Sequence, residues 1–178
     1  MAAGEDSRLA ADWRTATRQS SGLAPPAATT PEAVVQVYAA RAFSWRGVFA
    51  VHTWISVKPA GADLYTTYEV IGWRARYGGD AVQIHSGGPD RYWFGGEPDL
   101  LADVRGEKAT RAIKDIEKAV TDYPWPSSYR TWPGPNSNTF TAFVSRRVPD
   151  LEVDLPPTAI GKDYLGDTTI IGRAPSGG

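Results

Sequence analysis

The sequence predicts an α+β fold, an antiparallel sheet packed against two main helices, and three observations carry that expectation. Short β-branched and aromatic runs broken by Gly and Pro occupy residues 34–104. After Gly106 the apolar period lengthens to three or four residues. A second stretch of helical spacing opens near Ser137.

Residues 1–33 are rich in Ala, Ser, Thr and Pro and end in Ala24-Pro25-Pro26 and Thr29-Thr30-Pro31, a composition suited to an extended arm, partly disordered, that Trp13 pins to the body. Residues 34–43 and 48–57 read as two strands joined by the turn Ser44-Trp45-Arg46-Gly47; a short helix opening at Pro31 is the other reading of the first. Pro59-Ala60-Gly61-Ala62 then links residues 48–58 to residues 63–74 as a hairpin. If Lys58 pairs with Asp63, His52 falls opposite Glu69 and their Cβ atoms sit roughly 5 Å apart on one face. Residues 81–85, 91–94 and 100–104 are further short strands.

Beyond Gly106, Ala109, Ile113, Ile116, Val120 and Tyr123 make one apolar stripe, with Glu107, Lys114 and Lys118 on the solvated faces and Pro124 as the stop. Phe140, Phe143, Val144 and Val148 repeat the spacing after a proline-rich loop. The expected organisation is an arm over 1–33, a single α+β domain over 34–165, and an irregular tail over 166–178.

Nineteen Lys and Arg against twenty Asp and Glu leave a net charge of −1, which disfavours nucleic acid as a partner. With no cysteine, disulfides, thiolate metal sites and a cysteine nucleophile are excluded. Glu5, Asp6, Arg8 and Asp12 interrupt any signal-peptide core, and no later apolar run is long enough to span a bilayer, so the chain reads as soluble. No cofactor is expected.

A hydroxyl at a helix N-terminus sits among unpaired amides able to hold an oxyanion, which singles out Ser137. Serine needs a general base, itself oriented by a third group, and His52 with Glu69 supplies that pair. His85 is an alternative orienting group. Amides near Ser137 and Asn138 would hold the oxyanion, and Asn136, Asn138, Trp54 and His85 would contact the substrate. The structural readings stand beside these: Ser137 as the helix cap, His52 bonded across the sheet, and Glu69 on a solvated face. Two histidines without close ligand spacing make no metal site. The seven tryptophans belong to the core or to a ligand groove, for which Arg91-Tyr92-Trp93-Phe94 is the best candidate. Lys162 and Asp163 read as a surface pair.

The order His52, Glu69, Ser137 resembles the circularly permuted branch of the papain-like fold, including permuted NlpC-type peptidases and the lecithin:retinol acyltransferase family. Val51-His52-Thr53-Trp54 is similar to its histidine strand. Asn136-Ser137-Asn138-Thr139-Phe140 is similar to its nucleophile segment, with Ser where Cys belongs. A closer resemblance is to the bacterial family known as domain of unknown function 3750. It rests on residues 31–43, on Val51-His52-Thr53-Trp54-Ile55, on Trp132-Pro133-Gly134-Pro135-Asn136-Ser137-Asn138-Thr139-Phe140, and on Pro156-Pro157-Thr158-Ala159-Ile160-Gly161-Lys162-Asp163-Tyr164. Relatives with an apolar N-terminal segment imply a cell-envelope location.

Two functions follow as expectations. One is a hydrolase or acyltransferase in which Ser137 attacks an amide or ester, His52 moves the proton, and Glu69 or His85 orients the imidazole. The other is a non-catalytic binding module on a papain-like scaffold, engaging a small molecule, peptide, glycan or lipid.

Overall fold

The computed structural model describes residues 16–42 and 50–166. Trp13, the expected turn at residues 44–47 and almost all of the tail lie outside them. Five antiparallel strands form one sheet: β1 (Val34–Arg41), β2 (Val51–Lys58), β3 (Thr66–Val70), β4 (Val82–Ser86) and β5 (Pro98–Arg105), in the order β4-β3-β2-β1-β5. A one-turn helix, α1 (Gly72–Arg76), follows β3, so the expected strand over residues 63–74 is cut short. The two main helices are α2 (Gly106–Thr121) and α3 (Ser137–Arg147). The α+β fold class is therefore the observed one.

Strand alternation divides the sheet into two chemically distinct faces. Val35, Val37, Ile55, Val57, Tyr68 and Val70 point to one side and join Ala109, Ala112, Ile113, Ile116, Phe140 and Val144 of the helices in the main core. Gln36, Tyr38, His52, Trp54, Ser56, Lys58, Thr67 and Glu69 point to the other side and are also buried. That second face is roofed by residues 87–96, through Trp54 Nε1 and Ser56 Oγ, which donate to the Pro89 carbonyl at 2.7 and 3.3 Å.

The arm in turn fastens the roof. Ser21 N, Tyr92 N and Gly95 N donate to the carbonyls of Asp90, Gln19 and Thr17. The buried Asp90 carboxylate accepts from the Ser20 hydroxyl at 2.9 Å and from the Ala24 amide at 3.0 Å. A buried carboxylate must be saturated with donors, and the Ser-rich arm supplies them.

Two local expectations are corrected. The β2–β3 register pairs Val57 with Thr66 and Ile55 with Tyr68, two residues out from a Lys58–Asp63 pairing. The connection is longer than a tight turn because it is held by the arm: Gly61 N donates to the Pro31 carbonyl, and the Tyr65 hydroxyl to the Pro25 carbonyl at 3.0 Å. A slip of two residues preserves which face each side chain occupies. Residues 91–94 form no strand; only isolated bridges Ser20–Arg91 and Trp93–Gly96 occur, and Phe94 turns the chain at φ 49°.

The α2 stripe makes the packing testable. Ile116 has no exposed surface, whereas Lys114 is solvent-exposed. Ile116→Ala is expected to lower unfolding free energy by about 2–5 kcal/mol in urea titration, and Lys114→Ala to leave the midpoint unchanged.

Candidate functional site

The most concentrated chemistry lies on the roofed face, around Glu69. Continuing the observed register puts Glu69 opposite Trp54, so His52 is its diagonal neighbour on β2, while on β4 His85 pairs with Thr67. Diagonal neighbours remain within reach of long side chains. Oε2 of Glu69 lies 2.9 Å from His52 Nε2, and Oε1 lies 2.8 Å from His85 Nε2. Arg91, from the roof, donates its Nη2–H to Oε1 at 2.5 Å. Glu69 is 1% exposed, so one buried carboxylate is shared by two imidazoles and a guanidinium.

Burial acts to raise the Glu69 pKa, but hydrogen bonds from His52 and His85 and the nearby positive charges outweigh it and hold the carboxyl well below its usual range. An ionised carboxylate only accepts, so each imidazole donates from Nε2. In the neutral ring Nδ1 is then left as the lone-pair nitrogen. Burial lowers the His52 pKa, against the opposing pull of Glu69. His52 also stacks on Trp93 with ring centroids 3.7 Å apart at 12°. The Arg91 guanidinium lies 5.4 Å from the Trp93 ring and 5.5 Å from the Trp54 ring, within cation–π range.

The structure brings together His52, Glu69 and His85, with Trp54 beneath them, and keeps Ser137 apart. Thr53, next to His52 in β2, points to the opposite face, where its hydroxyl lies 3.0 Å from both Asn138 Oδ1 and Thr141 Oγ1 and 3.4 Å from the Ser137 carbonyl. Adjacent strand residues face opposite ways. The sheet therefore stands between the His52 imidazole and the helix that begins with Ser137, and the expected Ser137–His52 pair is not formed.

The neighbourhood of Ser137 is built for capping. Asn136, not Ser137, is the N-cap: its Oδ1 accepts from Asn138 N at 2.9 Å and Thr139 N at 3.0 Å, and Thr139 Oγ1 accepts from Asn136 N at 3.1 Å. This is a reciprocal capping box. The Asn138 amide expected to hold an oxyanion is consumed by it. Asn136 Nδ2 donates to the Thr131 and Ile160 carbonyls, and Asn138 Nδ2 to those of Val51 and Ile160. Both asparagines, expected to touch substrate, are buried struts between segments. Gly161 completes the fit, since a Cβ there would lie 2.4 Å from Asn136 Nδ2. Residues 132–140 and 156–164 are thus two halves of one clamp.

Trp54 has no exposed surface and supports the cluster from below, whereas the His85 side chain is 37% exposed and reaches solvent. Arg91 and Trp93, which the sequence marks only as part of a candidate groove, join the Glu69 cluster directly. Their signal was the Arg91-Tyr92-Trp93-Phe94 run itself, a cation within an aromatic cluster. Lys162 and Asp163 do pair at the surface, at 3.5 Å. Among the described residues no group of three or more His, Cys, Asp or Glu is arranged to hold a metal, and no helix is long and apolar enough to cross a membrane.

Fold and site define an antiparallel α+β domain with a buried acidic residue wired to histidine and arginine beneath an aromatic roof. The family model for the protein of unknown function DUF3750 matches residues 32–164, and the chain belongs to that family. No curated protein and no solved structure matches it.

Glu69→Gln removes the charge its donors converge on and is expected to cost about 3–5 kcal/mol in chemical denaturation. Both shifted groups at this site predict acid sensitivity. His52 and Glu69 each have a folded pKa below the unfolded value, so the native state binds fewer protons and stability falls as pH drops. The loss is expected to begin near the ordinary His value of 6.5 and to steepen below the ordinary Glu value of 4.5. In Glu69→Gln the steeper low-pH part should flatten, as read by denaturation midpoints from pH 7 to pH 2.

Proposed function

We propose that this domain is a non-catalytic binding module whose ligand-facing surface is the aromatic region running outward from the Glu69 cluster through Trp93 to Trp73. The observation that carries this reading is the opposite-face placement of His52 and Ser137. A serine hydrolase or acyltransferase needs nucleophile and base within hydrogen-bond reach on one side. The His52 imidazole lies across the sheet from Ser137, and the neighbouring Asn138 amide is already committed to Asn136. The permuted papain-like scaffold belongs to this reading through chain order alone, with the His52 strand ahead of the Ser137 helix.

Rigidity also supports it. Glu69 fixes His52, His85 and Arg91 from three separate segments, and Trp93 is clamped between His52 and Trp73, whose ring centroid lies 6.1 Å away. Trp73 is 46% exposed, and the His85 side chain, on β4, is 37% exposed. A pre-ordered aromatic and polar surface binds without a large ordering cost.

The direct check is incubation of folded wild-type protein, Ser137→Ala and His52→Ala with a fluorophosphonate serine probe. No labelling above the heat-denatured background is expected for any of the three. Wild-type labelling abolished by both substitutions would contradict the binding reading and restore the hydrolase.

A further inference from the structure

We propose that α1 and the loop over residues 127–135 form a docking surface for an anionic phospholipid bilayer. The inference rests on the binding-module reading and names the partner for the outer part of its aromatic surface.

The surface is a single structural unit. Gly72 opens α1, and the Tyr129 ring lies so close to it that a Cβ would sit 2.5 Å from the ring. The open cleft between the two segments has a volume of about 380 Å³ and is lined by residues that include Arg76, Ser128, Tyr129 and Pro135. Arg130 N donates to the Pro135 carbonyl at 2.7 Å and closes the tight loop that carries Trp132.

Two features of this unit point to a lipid surface. The first is charge. Arg74 and Arg76 are exposed and, among the described residues, make no ion pair. One carboxylate, Asp80, lies close by and accepts from the Ser127 hydroxyl at 2.5 Å, so the two arginines outnumber it. With a whole-chain charge of only −1, any attraction to anions is a local property of such a patch. The second is the shape of the aromatic rim. Tyr77 is 89% exposed and Trp132 74% exposed, so their rings project from the surface instead of lining a concave slot. Projecting Tyr and Trp rings on segments that also carry exposed arginines match the headgroup layer of a bilayer, where an amphipathic ring is buried by the lipid itself.

The test is co-sedimentation of the full chain with vesicles of phosphatidylcholine alone and of phosphatidylcholine containing phosphatidylglycerol, in low and in physiological salt. Binding to the anionic vesicles is expected, with at least about tenfold weaker partitioning to neutral vesicles. Loss of a comparable factor is expected for Arg74→Glu/Arg76→Glu, since each arginine near an anionic surface contributes a several-fold gain. Tyr77→Ala should weaken binding several-fold without changing the salt dependence. All three side chains are exposed, so unchanged thermal melting confirms that the variants are folded.

Absence of binding to anionic vesicles overturns the proposal, as does equal binding to neutral vesicles or undiminished binding by the double arginine variant. Absence of vesicle binding with no serine labelling removes the lipid partner and leaves the binding module standing. Serine labelling that depends on Ser137 and His52 removes the module itself.

Discussion

The Glu69 carboxylate is the constraint on which the polar half of this domain depends. Moving an ionised carboxyl out of water costs several kcal/mol even after relaxation, and it persists only when donors saturate it. Here the donors come from β2, β4 and the roof segment, so satisfying one charge fixes the relative positions of three pieces of chain. Trp93 and Trp54 then fill the space around the Arg91 guanidinium and the His52 ring. The aromatic contacts and the ionic contacts are mutually dependent: the rings exclude the water that would weaken the ion pairs, and the ion pairs hold the loop that carries Trp93.

The same sheet carries a second buried polar system on its other face, and the two do not meet. Thr53, Asn138 and Thr141 tie β2 to α3, while Asn136 caps the helix and links it to the Ile160 carbonyl. This arrangement gives a physical account of two of the stretches that carry the family resemblance. Trp132 to Phe140 and Pro156 to Tyr164 interlock through side-chain amides and through Gly161, which leaves room for Asn136. Their residue types follow from clamp geometry, without any appeal to a reaction.

Much of this was legible in the sequence, because alternation and helical period are local properties. The faces of His52 and Glu69 followed from strand parity, and parity survived a two-residue error in register. The register itself depended on Gly61 and Tyr65 meeting Pro31 and Pro25, contacts between distant segments that no turn rule contains. Phe94 reads as a strand residue because aromatic residues favour strands; its positive φ belongs to the turn that brings Trp93 over His52. Asn136 and Ser137 are adjacent residues of equal capping quality, and the discriminating signal was Thr139, three positions after Asn136, which closes the capping box. On which side of the sheet α3 packs was not legible at all, since both faces of β2 are buried and neither reads as solvent-facing.

Nuclear Overhauser contacts of the His52 ring protons report that sidedness. Cross-peaks from the His52 imidazole to the Trp93 indole are expected, with none to the Ser137 β-protons. Cross-peaks between His52 and Ser137, with none to Trp93, would contradict it.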